Sequence, residues 1–278
     1  SNIQNTDRTK LVGFAFGAGF ENRNTFNGSE TYKFSIDTGV EFNASTDTLI
    51  NTLTLGFNNS LDIPMFTKPL NSIRFLNKIG IIKDKSLAAL EDEGTSQVSF
   101  GVNYVDIFDR YNIFSINLNY GYELPINKKN RLTFNQIGFN YADYETLPGF
   151  QATLDNNPAV DSSFQNSFFS GIFFKDLTYY YQTDKPAFRN NWAFIANLEL
   201  SGAEVHLVNS IANLISSSNK EWKVNNNTDF EKFVKLNLDL RWYKTIYRKS
   251  QLAARIKTGA AIPFGQDKYI SFIKQYLV

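Results

Sequence analysis

Lys232–Pro263 decides the fold, and it reads KFVKLNLDLRWYKTIYRKSQLAARIKTGAAIP. Its first half alternates between apolar and polar residues, and its second half repeats the alternation after a basic turn at Thr245–Ser250. A period of two predicts strands, because successive side chains of a strand point to opposite faces. Each arm has about ten residues, close to the length at which a tilted strand crosses a membrane. The stretch therefore predicts a β-hairpin with one apolar and one charged face.

The composition excludes several classes of protein. The chain has 278 residues, no cysteine and a formal net charge of +1. The lack of cysteine excludes disulfides and Cys-ligated metals, and a lone histidine, His206, argues against histidine-based metal sites and Ser/His/Asp triads. The near-neutral charge argues against a nucleic-acid partner. No glycine-rich phosphate loop, nucleophile elbow or metal-spaced set of carboxylates occurs, so we expect no metal site.

The hydropathy of the chain is that of a two-faced sheet. Aromatic residues make up 15% of the chain, yet its mean hydropathy is only −0.30. Strands that face lipid on one side and water on the other combine these two properties. No apolar run reaches the roughly 18 residues that a transmembrane helix needs. The sequence therefore favours membrane-spanning strands over membrane-spanning helices.

Ten segments show the strand alternation. They are Leu11–Glu21, Glu30–Phe42, Leu49–Asn58, Gln97–Asp106, Tyr111–Leu124, Arg131–Tyr141, Phe164–Tyr181, Trp192–Leu200 and the two arms of Lys232–Pro263. We predict an all-β fold, a transmembrane antiparallel up-and-down β-barrel over residues 11–278 with a loop insert at 62–94. Ser86–Glu93 in the insert is predicted to form helical turns. Residues 1–10 are a polar segment without signal-peptide character, as in a mature or trimmed protein.

The lengths of the connections predict the orientation of the strands. If strand directions alternate, most short turns lie at one end and the two longest polar loops, Ala142–Ser162 and Ser201–Phe230, lie at the other. Bacterial outer-membrane barrels have short periplasmic turns and long external loops. The insert at 62–94 is the exception. We therefore assign the short-turn end to the periplasm and expect the protein in the bacterial cell outer membrane.

Aromatic residues gather at the strand ends assigned to the periplasm. Such residues ring membrane barrels at the height of the lipid head groups. The predicted girdle consists of Phe20, Tyr32, Phe57, Tyr120, Tyr122, Tyr179, Tyr180, Trp192, Trp242 and Tyr243. The alternative is a large soluble all-β protein whose aromatics fill its core, because soluble sandwiches also alternate. The repeated strand length and the charged second face argue against that alternative.

Several motifs, in order along the chain, resemble one known family. Asn22–Glu30 (NRNTFNGSE) resembles the first inter-strand turn of BamA/TamA-like (bacterial surface antigen) outer-membrane barrels of the Bacteroidetes type, and Leu236–Tyr243 resembles their D-x-R-x-Y strand. Ala260–Gly265 followed by Phe272–Val278 resembles the segment that leads into the family's Arg-Gly-aromatic loop. The middle of the family pattern is matched by Phe164–Gly171 and Leu198–Gly202. Each motif alone is weak, but the ordered set extends over nearly the whole chain.

The resemblance implies a barrel of about sixteen strands with periplasmic POTRA modules. Such a barrel inserts or assembles other outer-membrane proteins through a seam between its first and last strands. This chain departs from the pattern, because it has no POTRA-like region and stops before the Arg-Gly-aromatic loop. Aligned by its first turn, Leu11–Glu21 would be the family's second strand, so both seam strands would be absent. The implied partners are outer-membrane lipid, client outer-membrane proteins, and periplasmic or lipoprotein partners.

Six charged residues are predicted to face the lumen. They are Glu41, Glu199, Asp239, Arg241, Arg255 and Lys257. One hypothesis is that this polar cluster holds an inserted external loop, as the lumen of the resembled family does. The other is that the charges only keep the wall hydrated, in which case replacement of Arg241 by a neutral residue changes little.

Three functions are compatible with these patterns. The resemblance implies the barrel portion of an assembly or insertion factor, which works without catalysis, so we expect no catalytic residue and no cofactor. A passive outer-membrane pore would use the same alternation. A structural barrel that anchors a surface complex would use the long external loops. An Arg-Gly-aromatic loop after Val278 would favour the first function over the second.

Overall fold

The computed structural model describes residues 11–43, 50–67, 74, 77–78, 80, 83–183, 190–216, 222–225, 228–247, 250–265 and 268–275. The polar segment predicted at 1–10 lies outside these residues, as does part of the insert predicted at 62–94. No helix within the described ranges is long and apolar enough to cross a membrane.

The alternating segments form strands, as their period predicts. The strands are β1 (Leu11–Arg23), β2 (Thr31–Asn43), β3 (Ile50–Ile63), β4 (Thr95–Ile107), β5 (Tyr111–Pro125), β6 (Asn130–Thr146), β7 (Ser167–Gly171), β8 (Asp176–Gln182), β9 (Asn190–Ser201), β10 (Lys223–Asn225), β11 (Thr228–Phe230), β12 (Phe233–Tyr247) and β13 (Ser250–Pro263). The helices whose bounds the described residues give are α1 (Asp84–Glu93), α2 (Pro148–Asp155), α3 (Pro158–Ser163) and α4 (Ala203–Ser216), with a 3-10 turn at Phe272–Lys274.

Ten of the strands lie side by side in chain order, each antiparallel to the next. Their order is β1-β2-β3-β4-β5-β6-β8-β9-β12-β13, while β7, β10 and β11 lie off this path. The predicted all-β, antiparallel, up-and-down fold is therefore confirmed. Within the described residues, β1 pairs only with β2 and β13 only with β12, so the sheet has two open edges and does not close on itself.

The strand register gives the sheet one polar face and one apolar face. Polar positions of neighbouring strands align, as Asn117 does with Asn140 and Asp239 with Lys257. Large apolar side chains of the opposite face stay exposed, and Ile256 is 66% exposed. Apolar area on this scale, repeated over ten strands, is typical of a surface that contacts lipid or another protein.

The strand predicted at Phe164–Tyr181 is divided in two. β6 has a β-bulge at Gln136, because Tyr120 pairs with Ile137 while Gly121 pairs with Asn135. On one side of the bulge β6 pairs with β7, and on the other side it pairs with β8. The four residues Ile172–Lys175 connect the two strands, so the prediction of one continuous strand was wrong.

Two regions predicted as polar loops contain regular structure. β6 extends to Thr146, and the rest of Ala142–Ser162 includes α2 and α3. These helices begin at Pro148 and Pro158, where a proline is favourable because the first helical N–H has no acceptor within the helix. Ser201–Phe230 includes α4, β10 and β11. The helical turns predicted at Ser86–Glu93 lie within α1.

The two ends of the sheet differ in how they are covered. We call the end with the turns 24–30 and 126–129 the turn end, and the end with α2, α3 and residues 264–275 the cap end. At the cap end, apolar side chains form a buried cluster on the polar face of the sheet, the cap core. It consists of Ile113, Ala142, Tyr144, Leu154, Phe164, Phe169, Phe233 and Ile270. The interior side of the sheet is therefore apolar at one end and charged over the remainder.

Candidate functional site

Five of the six predicted lumen charges lie close together on the polar face. Glu199 is on β9, Asp239 and Arg241 are on β12, and Arg255 and Lys257 are on β13. These three strands are neighbours in the sheet. Glu41 is on β2, on the same face but near the opposite edge, between Gly13 and Thr52. The structure therefore separates Glu41 from the other five residues.

Asp239 is the centre of a group of three charges. Its carboxylate accepts hydrogen bonds at 2.7 Å from the guanidinium groups of both Arg241 and Arg255. Arg241 and Arg255 are directly paired between β12 and β13, and Asp239 precedes Arg241 by two positions on the same face. Two like charges placed opposite each other would repel. The carboxylate between them offsets that repulsion and helps to fix the register of β13.

Glu199 is the centre of a second, more buried group. Its Oε1 accepts a hydrogen bond of 2.6 Å from Lys274 Nζ and lies 3.2 Å from Lys175 Nζ. The Lys175 side chain is 2% exposed and that of Glu199 is 11% exposed. Sequence reasoning missed both lysines. Lys175 lies within what was predicted as one aromatic strand, and Lys274 lies in the Phe272–Val278 motif, which indicated no contact for it.

A short piece of chain lies on the polar face and is held there by polar contacts. We call Ile270–Gln275 the seated segment. Lys235 of β12 donates a hydrogen bond of 2.7 Å to the carbonyl of Lys274, and Tyr144 of β6 shares one of 2.6 Å with Ser271. The N–H of Ile273 donates to the Tyr144 hydroxyl at 3.2 Å. Together with the Glu199 ion pair, these contacts connect β6, β9 and β12 through the segment.

The cap core adds apolar contacts to the same segment. The Phe272 ring stacks on Phe164 with centroids 4.6 Å apart and meets Tyr111 edge-on at 5.7 Å. Ile270 is itself a member of the core. One signal for this core was present in the sequence. On the polar faces of β4, β5 and β6, the apolar residues lie at the cap end, as Val105, Tyr111 and Ala142 do.

Below the seated segment, toward the turn end, the polar face forms two open clefts. The first has a volume of about 560 Å³ and is lined by residues that include Lys235, Asp239, Arg255, Lys257 and Gln275. The second has a volume of about 570 Å³ and is lined by residues that include Lys128, Arg131, Tyr180, Arg241 and Tyr243. The arrangement can bind chain segments by ion pairs and hydrogen bonds.

The predicted aromatic girdle divides between the two faces. Tyr180 and Tyr243 lie on the polar face, since Tyr180 pairs with Ile195, which pairs with Asp239, and Tyr243 is two positions from Arg241. They are therefore not part of a ring on the apolar face, which corrects their assignment. The apolar face carries Phe20, Tyr32, Phe57, Tyr120, Tyr122, Tyr179, Trp192 and Trp242.

Two of these aromatics are covered by the chain itself. Phe66, which follows β3, packs on the Tyr122 ring with centroids 4.7 Å apart. Tyr120 donates a hydrogen bond of 3.0 Å to the carbonyl of Thr67. Tyr122 is only 3% exposed as a result. By contrast, Trp192 is 42% exposed, and its ring lies 6.2 Å from that of Trp242.

Comparison with known proteins gives one kind of match. No family model matches the chain, and no curated protein matches it either. Among solved structures, the chain is similar to the crystal structure of BamA from Haemophilus ducreyi lacking POTRA domains 1-3, with a TM-score of 0.48 and 12% sequence identity. The similarity covers 99% of this chain and 47% of that one, so the chain spans about half the length of the solved protein.

Proposed function

We propose that this chain is the membrane-embedded wall of an outer-membrane barrel protein, and that this protein acts in the assembly or insertion of other outer-membrane proteins. The two faces of the sheet support the first part. A face with exposed Phe14, Phe16 and Ile256 suits lipid, and a face with Asp239, Arg241 and Arg255 suits water. The strands have 12 to 17 residues along most of the path, enough to cross the hydrocarbon at a tilt.

The seated segment is the observation that supports the second part of the proposal, the role in assembly or insertion of other outer-membrane proteins. The wall holds a piece of chain from its cap end on its polar side, through the buried pair of Glu199 and Lys274. The motifs of the sequence resemble a family whose lumen holds an inserted external loop. A wall that retains chain in this way is suited to work on polypeptide, and this supports an assembly role.

The cap core argues against a passive pore. Phe164 and Phe272 stack at the cap end of the polar face, and Tyr111 and Phe150 pack around them. In a barrel closed by further strands, this core would narrow the lumen at the cap end, and water and ions pass poorly through an apolar constriction. A pore would have to open this core, whereas a barrel that holds chain would keep it closed.

The proposed function needs no chemistry at the wall. Its partners would be outer-membrane lipid on the apolar face, and client outer-membrane proteins with periplasmic or lipoprotein partners at the ends. Nucleic acid is not among them, in keeping with a net charge of +1.

Depletion tests the proposal. Cells depleted of the protein should lose heat-modifiable outer-membrane barrels from their envelopes, measured by quantitative proteomics of the outer-membrane fraction. Complementation with wild type and with Glu41→Gln should restore them, and Glu199→Gln should restore fewer. Normal levels of every other barrel after depletion would contradict an assembly role, and recovery of the protein outside the outer-membrane fraction would contradict the wall.

A further inference from the structure

The helix α4 exposes its apolar side. Its exposed apolar residues, the apolar stripe, are Leu207, Val208, Ile211, Leu214 and Ile215. They follow one another at helical spacing on one face. Leu214 and Ile215 are 83% and 82% exposed, whereas the buried side chain of the helix is Asn209. A helix on the surface of a soluble domain has the opposite arrangement, with its apolar side packed inward.

The position of α4 along the wall indicates where the stripe lies. β9 has 12 residues and ends at Ser201, and Gly202, with φ +68°, turns the chain into α4. A tilted strand crosses the hydrocarbon in about 9–11 residues, so α4 begins at the membrane boundary of the cap end. The helix has 14 residues, a length of about 21 Å. It is too short to cross a hydrocarbon layer of about 30 Å and is suited to lie along its surface.

The first turn of α4 shows which side of the wall the stripe faces. The Glu204 carboxylate accepts hydrogen bonds from the N–H groups of Ile172 and Phe173 at 3.1 and 3.0 Å. The next residue, Phe174, packs against Phe134 with centroids 5.6 Å apart. Phe134 belongs to the apolar face, since it pairs with Leu177 and Tyr122.

Helical spacing places the apolar stripe on the same side of α4 as Glu204. Leu207, Val208 and Ile211 follow Glu204 at three, four and seven positions, so they share the side on which Glu204 meets the β7–β8 connection. Ile172 and Phe173 of that connection are exposed apolar residues themselves. These contacts and the helical spacing place the stripe toward the same side of the sheet as the apolar face.

We propose that α4 lies in the head-group region of the membrane at the cap end, parallel to the bilayer surface, with its apolar stripe in lipid. This inference rests on the proposed function, in which the apolar face of the wall contacts lipid. From Val205 to Ser216 the helix carries no Asp, Glu, Lys or Arg, so its entry into the interface costs no desolvation of charge. The helix would attach one side of the wall to the outer layer of the bilayer.

The chain has no cysteine, so single cysteines can carry a fluorescent label. The protein, purified from cell envelopes as Leu214→Cys and labelled with the fluorophore NBD, is reconstituted in phosphatidylcholine vesicles containing lipids with a doxyl quencher near the head group. Ser216→Cys is the matched control, because it is exposed but lies on the opposite side of the same turn. Leu118→Cys reports on the wall, since Leu118 is on the apolar face of β5 and 43% exposed.

Lipid quenching should lower the emission at Leu214 by about half or more, with little loss at Ser216. Quenchers placed deep in the acyl chains should act more on Leu118 than on Leu214. If Leu118 is quenched and Leu214 is not, the helix does not lie in lipid and the inference fails while the membrane wall stands. If Leu118 is not quenched, the wall proposal fails and the inference with it. Shielding of Leu214 from aqueous iodide without lipid quenching would indicate a protein partner and overturn the inference.

Discussion

Lys274 Nζ lies 2.6 Å from Glu199 Oε1, and this ion pair joins the seated segment to the wall. The same oxygen is 3.2 Å from Lys175 Nζ, and the Phe169 ring lies within 6 Å of both ammonium groups, at 5.8 and 5.2 Å. Two poorly hydrated cations therefore depend on one carboxylate. Loss of Glu199 would leave both ammonium groups without this carboxylate.

Glu199→Gln should destabilise the wall and release the seated segment. Removal of one partner from a buried ion pair costs about 3–5 kcal/mol, because the remaining charge stays buried without compensation. The change is measured as a lower denaturant midpoint for loss of heat-modifiable migration and as faster trypsin cleavage at Lys274. Glu41→Gln is the control, since no ion pair of Glu41 is found within the described residues. Equal behaviour of the two variants would contradict a structural role for the Glu199 pair.

Lys175→Met should destabilise the wall less than Glu199→Gln does. Methionine keeps most of the length of the lysine side chain, and Glu199 retains its pair with Lys274. The cost of removing one partner of a buried ion pair comes from the charge that stays uncompensated, and Lys274 still compensates Glu199 in this variant, so we expect a smaller loss of stability than in Glu199→Gln. The same denaturation assay applies. A loss as large as that of Glu199→Gln would show that Lys175 has a role beyond partial neutralisation of Glu199.

Replacement of Arg241 and replacement of Asp239 should have unequal effects on barrel assembly. Arg241→Gln leaves the hydrogen bonds between Arg255 and Asp239 intact, so barrel assembly, measured as heat-modifiable migration, should change little. Asp239→Asn leaves two paired arginines facing each other without a carboxylate and should slow assembly. The difference in assembly between the two variants should become smaller as the salt concentration rises, because these arginines are partly exposed and salt screens their charges. A larger defect for Arg241→Gln would contradict the shared pairing.

Phe164→Ala should open the cap end. Phe164 is 7% exposed and contacts the rings of Tyr111, Phe150 and Phe272. Loss of a buried phenylalanine costs about 3–5 kcal/mol and leaves a cavity, which would loosen the constriction. Single-channel conductance of the reconstituted protein should rise. Phe16→Ala, on the apolar face, should leave it unchanged, and an unchanged conductance in Phe164→Ala would show that the cap core does not limit passage.

Gly202→Ala should disturb the start of α4. Gly202 has φ +68°, and an added Cβ would lie 2.6 Å from the carbonyl oxygen of Glu231. The left-handed backbone costs an alanine about 1–2 kcal/mol, and the contact adds to it. The denaturant midpoint should fall. Gly19→Ala is the control, because its nearest atom would be 3.5 Å away. Equal midpoints for both variants would show that the turn relaxes without cost.

The strands and their faces could be read from the sequence because they depend on local order. Val234, Leu236 and Leu238 alternate with Lys235, Asn237 and Asp239, and a period of two fixes the strand and its two sides without knowledge of any neighbour. The order of the ten strands followed as well, because short connections favour pairing between consecutive strands. The prediction of one strand at Phe164–Tyr181 was wrong because Ile172–Lys175 separates β7 from β8 there.

The position of the seated segment and the formation of the cap core depend on the tertiary structure alone. Glu199 and Lys274 are 75 positions apart, and Tyr144 and Ser271 are 127 positions apart, so no local pattern brings them together. The β6 bulge at Gln136 separates β7 from β8 and leaves Lys175 beside Glu199. By itself the sequence determined which side is wet in each strand whose apolar and polar residues clearly alternate. Only packing decided which of those wet positions are buried, because burial depends on what the rest of the chain lays over them.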